Sequence, residues 1–140
     1  MITKRPKPPI WLRLTAILLG AFLILWIPFE DPHTGVALGL AAALCLWTTL
    51  YYLYPVAVKS WKTVLIYGLT GALAGIVTVP TTLLLMAIKT GLHAHPVADF
   101  TKTQVSDLVS RIPIWITAGL LIGLGVGLWR YLHPPDSPSN

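Results

Sequence analysis

TVLIYGLTGALAGIVTVPTTLLLMAI, residues Thr63–Ile88, decides the fold. No residue in it is charged. As a helix rising ~1.5 Å per residue it would be roughly 39 Å long, more than the ~30 Å hydrocarbon core of a bilayer. In that core only helices and closed barrels satisfy every backbone N–H and C=O. The run lacks the period-2 alternation of barrel strands, so it reads as a membrane-crossing helix.

Three further apolar runs flank it. Gly35–Val58 precedes it without a charge, and Trp11–Phe29 comes before that with Arg13 alone near its start. Ile112–Trp129 follows, again uncharged. We therefore expect an all-α integral membrane four-helix bundle forming one domain over 1–140, with crossings at about 11–29, 35–58, 63–88 and 112–132. The whole chain agrees: 55% of its residues are hydrophobic and 11% charged, against about 25% charged in soluble domains. A basic start and an apolar run also describe a secretory signal. Here the run is long and ends in Trp26-Ile27-Pro28-Phe29-Glu30 without a small-residue cleavage site, so an uncleaved anchor is expected.

With four crossings, both termini share a side with the Lys59–Lys62 turn. That side holds seven cations (Lys4, Arg5, Lys7, Arg13, Lys59, Lys62, Arg130) against three (Lys89, Lys102, Arg111) on the other. The positive-inside rule then predicts both termini in the cytoplasm, in a bacterial-type plasma (inner) membrane. The net charge of +5 is read as contact with anionic headgroups, not nucleic acid, because no basic stripe is interleaved with exposed aromatics.

The connections Glu30–Thr34 and Lys59–Lys62 are tight, while that from about Lys89 to Arg111 is long enough for structure of its own. Thr101-Lys102-Thr103-Gln104 fits a capping box. Val105, Leu108, Val109 and Ile112 then share one helical face, so about 101–111 should form a short interfacial amphipathic helix. Pro113 falls in the next first turn, where its missing N–H costs little. The Pro-rich start is expected to be extended, and the tail 133–140 disordered.

Gly119, Gly123 and Gly127 are spaced four apart, as are Gly71 and Gly75, and Gly35, Gly39 and Ala43. Such stripes let backbones approach closely. They can pack within the chain's own bundle, which we favour, or against a protein partner or second copy. Pro80, among Thr78, Thr81 and Thr82, removes one bond from its helix; nearby threonine hydroxyls can satisfy freed groups. Trp11, Trp26, Trp61, Trp115 and Trp129 sit near run ends as an interfacial belt, and Tyr51, Tyr52 and Tyr54 read likewise. Trp47 alone is mid-helix.

The absences exclude functions. No acid, lysine or histidine lies deep in a run, which argues against proton-coupled transport and against haem held inside the bundle. A single cysteine, Cys45, rules out disulfide chemistry within the chain. No nucleophile–base pair is recognisable, so an enzyme is not expected, and no catalytic, cofactor or metal residue is assigned. The leading expectation is a non-catalytic accessory or structural subunit acting by helix–helix association, through lipid and through small-residue faces such as Gly71, Gly75, Gly119, Gly123 and Gly127. Two alternatives stand beside it. One is an oligomeric channel or facilitator for a neutral solute, lined by Tyr67, Thr70, Thr78, Thr81 and Thr82. The other is a metal-binding outer loop on His93, His95 and Asp99.

Overall fold

The computed structural model describes residues 8–29, 34–93 and 100–133. It contains five helices: α1 (Ile10–Trp26), α2 (Thr34–Leu53), α3 (Trp61–His93), α4 (Lys102–Ser110) and α5 (Ile112–Leu132). No strand occurs among the described residues. Three helices, α2, α3 and α5, are long and apolar enough to cross a membrane. The apolar α1 has 17 residues, or ~26 Å. The N-terminal residues 1–7, with Lys4, Arg5 and Lys7, and the tail 134–140 lie outside the described residues.

Prolines account for the helix ends that differ from expectation. Proline has no N–H to give the carbonyl four residues back, and its ring crowds that carbonyl, so a helix ends readily at it. α1 therefore stops at Trp26, just before Ile27-Pro28, and not at residue 29. α2 stops at Leu53, before Tyr54-Pro55, and not at residue 58. The connection between α2 and α3 is accordingly 54–60, longer than the tight Lys59–Lys62 turn expected. α3 continues past residue 88 to His93 because no proline interrupts 81–93. Its 33 residues make a rod of ~50 Å, so it tilts or projects beyond a ~30 Å core. Pro80 lies on the exposed face of α3, and the helix runs through it. The flanking threonines do not serve the carbonyl that Pro80 leaves free. Thr78 donates to the Ala74 carbonyl at 2.9 Å and Thr82 to that of Thr78 at 2.8 Å.

α4 forms as its capping box dictates. The Gln104 N–H donates to Thr101 Oγ1 at 3.3 Å, and the Thr101 N–H donates to Gln104 Oε1 at 2.8 Å. Of the apolar face, Leu108 is buried, Val105 and Ile112 are half-buried and Val109 is exposed. Arg111, paired with Asp107 at 2.8 Å, is the one residue between α4 and α5. Thr101→Ala should cost about 1 kcal/mol locally. Faster amide exchange over Lys102–Val105, with α3 and α5 unaffected, is the expected readout.

The long helices run antiparallel and neighbour one another in the order α5, α3, α2, α1. Contacts fix the directions. Gly71 meets Gly119 and Val64 meets Gly127, so α3 and α5 are opposed. Tyr67 reaches the end of α2 at Leu53, while Cys45 lies by Thr81. Trp47 of α2 donates to the Leu12 carbonyl at the start of α1 at 2.9 Å, and Trp26 packs in one cluster with Ala37 and Leu40. One end thus carries Arg13, Lys59, Lys62 and Arg130 and, among the described residues, no acid. The opposite end carries Lys89, Lys102, Asp107 and Arg111.

All five helices meet at that opposite end. Trp26, Leu40, Val79, Met86 and Leu108 form its buried centre, with Trp115 packed against it. Trp26 was expected in an interfacial belt. It is instead 5% exposed, with Nε1 buried and unpartnered among the described residues. The Lys89 ammonium lies 4.4 Å from the centre of its ring, and Lys89 itself is 2% exposed. A buried ammonium requires compensating contacts, and a cation over an indole face is one. Trp11, Trp61 and Trp129 are exposed, as a belt requires.

Candidate functional site: an apolar cleft closed by Arg130 and Tyr67

The glycine stripes of α3 and α5 build the closest helix pair. A Cβ at Gly71 would meet the Gly119 carbonyl, and one at Gly119 would meet the Gly71 carbonyl. Gly75 faces the backbone of Trp115 and Ile116, and Gly123 that of Tyr67 and Gly68. The five glycines expected to meet either the chain itself or a partner therefore face their own chain, and that surface is taken. Among the described residues, nothing lies within 4 Å of an added Cβ at Gly35 or Gly39 on α2.

With α5 held so tightly on α3, α2 packs mainly on α3 and meets α5 through Arg130 at its end. A cleft of about 180 Å³ remains between them. Leu46 and Leu50 of α2 form one wall, Ile122 and Val126 of α5 the other, and Gly71 and Ala74 of α3 the floor. The lining is almost wholly apolar. Its threonines are engaged: Thr49 donates to the Cys45 carbonyl at 2.8 Å and Thr78 to that of Ala74. A second cleft of about 400 Å³ lies on the other flank of the α2–α3 pair and includes Thr48, Thr70 and Thr81. Cys45 is half-buried and touches both clefts, its Sγ 3.8 Å from Thr81 Oγ1.

The basic end of the first cleft is closed by a polar knot. Tyr67 is 1% exposed, and its hydroxyl donates to the carbonyls of Leu53 at 2.8 Å and Val56 at 2.9 Å. Arg130 Nη1 lies 2.6 Å from the Tyr67 hydroxyl oxygen and 3.3 Å from the Leu53 carbonyl, and Nη2 lies 3.1 Å from that of Tyr54. Of these acceptors the Leu53 carbonyl ends α2 and also takes the Val56 N–H at 3.0 Å, while the carbonyls of Tyr54 and Val56 lie just past the helix, where no helical N–H follows to take them. A cation there also meets the negative end of the helix dipole. Pro55 ends α2, and α5 supplies the charge that finishes it. The sequence put Arg130 among surface cations. The signal that could have found this role was an arginine on the same helical face as the Gly119–Gly123–Gly127 stripe.

The five residues expected to line a pore are not brought together. Tyr67 and Thr78 line the first cleft, Thr70 and Thr81 the second, and Thr82 is fully buried in the packing. Trp47 is engaged with neighbours: beyond its bond to Leu12, it stacks on Tyr51 at 5.3 Å between ring centres. Of the outer-loop ligand candidates, His93 is the last residue of α3, while His95 and Asp99 lie outside the described residues. Among the described residues no three His, Cys, Asp or Glu come together as a metal site.

Compared with protein-family models, with curated proteins and with solved structures, the chain matches none, so its own geometry carries the functional argument.

Proposed function

We propose that this chain is a non-catalytic membrane subunit that works by helix–helix association, either in a larger membrane assembly or with copies of itself. The observation that supports this most is the isolation of α1. It is tied mainly to α2, through Leu12 near one end and Trp26 at the other. Between them Leu14, Ile17, Leu18, Phe22 and Leu25 are all more than half exposed. A helix this weakly attached and this apolar gains from a neighbouring helix as well as from lipid. The open Gly35–Gly39 face of α2 adds a second surface where a backbone can come close. The partner surface is thus proposed on α1 and α2, because the glycines of α3 and α5 face each other.

The same reading takes α1 as a fourth crossing and sets both termini in the cytoplasm of a bacterial-type plasma membrane. The antiparallel order supports it, since it collects Arg13, Lys59, Lys62 and Arg130 at one end, as the positive-inside rule requires of a cytoplasmic face.

One preparation tests both parts. In a Cys45→Ser background, Leu18→Cys should crosslink to a second chain or a co-purifying protein in mild detergent. A strictly monomeric particle with no companion ends the association reading. Single cysteines at Lys59 and Ser106 should react with impermeant reagents from opposite sides of intact cells. Labelling from the same side overturns the topology.

A further inference from the structure

We propose that the cleft between α2 and α5 holds one acyl chain of an anionic phospholipid, whose phosphate sits at Arg130 with Lys59 and Lys62 around it. This is independent of whether the chain has a protein partner.

The cleft has the shape of a chain site. It extends along α5 from Trp115 to Val126, which is ~16 Å and close to half of a ~30 Å hydrocarbon core. One leaflet's acyl chain has that depth. Its floor is glycine and alanine, so it is deep, and its walls are leucine, isoleucine and valine, so it offers dispersion contacts and few hydrogen bonds.

The cleft also has a polar end. Val126 lines it, and Arg130 is one turn further along the same helix. The guanidinium rests on Tyr67, whose side chain is the cleft's wall at that end. Arg130 directs three contacts to Leu53, Tyr54 and Tyr67. A guanidinium has five N–H donors, which leaves Nε–H and one Nη2 proton without a protein acceptor among the described residues. Lys59 and Lys62 are exposed at the same end, in the connection before α3 and in its first turn. No described carboxylate balances these charges. Phosphate suits this set because guanidinium binds its oxygens in fork geometry, and basic residues at a membrane surface favour anionic lipid. A zwitterionic headgroup would bring its own ammonium into the same field, which sets phosphatidylglycerol above phosphatidylcholine.

The test is native mass spectrometry of the full chain released from nanodiscs of equimolar phosphatidylglycerol and phosphatidylcholine. Wild type should retain one lipid, with phosphatidylglycerol preferred by roughly tenfold or more. Ala118→Phe fills the cleft and should lose the retained lipid while keeping its melting temperature. The Lys59→Gln/Lys62→Gln pair, which leaves the polar knot intact, should keep one lipid but lose most of the headgroup preference. Equal retention of the two lipids by wild type overturns the proposal. So does an unchanged lipid count in Ala118→Phe, or occupation of the cleft by a second protein chain when crosslinked through Ile122→Cys.

Discussion

Gly119→Leu should separate α3 from α5 and lower the stability of the purified protein by about 3 kcal/mol or more, at or beyond the upper end of the usual overpacking cost. The reason is what the new side chain would meet. At Gly119 the neighbours are the carbonyl group of Gly71, its carbon 2.9 Å from an added Cβ, and the Gly75 nitrogen at 3.2 Å. These are backbone atoms of a helix and cannot rotate aside. Even Gly119→Ala requires the helices to move apart, and Leu extends the damage along the stripe. In lipid, close packing of this kind is a main source of helix association, because apolar burial contributes little there. Gly125→Leu is the matched control. It is on the same helix with nothing within 4 Å, and it should change stability by no more than ~0.5 kcal/mol. Unfolding of all three in a detergent titration gives the comparison. Equal stability of Gly119→Leu and Gly125→Leu would remove the α3–α5 seam as the scaffold of the cleft.

Arg130→Met carries the second large effect, about 2–4 kcal/mol, because hydrogen bonds to charged groups contribute roughly 1.5–3 kcal/mol each and the loss is shared among neighbours. Met keeps much of the stem volume, so packing is not the variable. What disappears is the donor to Tyr54 and one of the donors to Leu53, at a helix end that Pro55 prevents from continuing. Tyr67→Phe should cost about 1–3 kcal/mol through the Leu53 and Val56 carbonyls. The two residues share a hydrogen bond, so their effects should fall short of additivity by about 0.5 kcal/mol or more in a double-mutant cycle. Arg130→Lys should be intermediate: its charge remains at the helix end, but an ammonium lacks the planar fork that spans two acceptors. Strict additivity of Arg130→Met and Tyr67→Phe would show that the knot is two separate contacts.

Local chemistry was readable in this chain wherever a residue acts on its own neighbourhood. The uncharged run Thr63–Ile88 made α3 a helix, and Thr101 with Gln104 started α4. Even the misplaced ends were legible in principle, since Pro28 and Pro55 have no N–H with which to continue a helix. The four-residue glycine spacing announced close packing, but not whether within one chain or between two. Spacing states which face of a helix is flat and says nothing of what lies opposite.

The candidate site was less legible, because it is made from residues far apart in sequence. Lys89 and Trp26 look like surface residues until the helix ends that carry them are brought together. The cleft has no motif at all, because it is the space left when α5 sits closer to α3 than any side chain would allow. Arg130 and Tyr67 are 63 positions apart, and their meeting depends on the antiparallel register that Gly71 and Gly119 set. The sequence by itself determined that the helices form and that they are apolar, since hydropathy and capping are properties of neighbouring residues. Only the tertiary structure decided which helices touch, which cation is buried, and where the packing leaves room, because those depend on the register between helices.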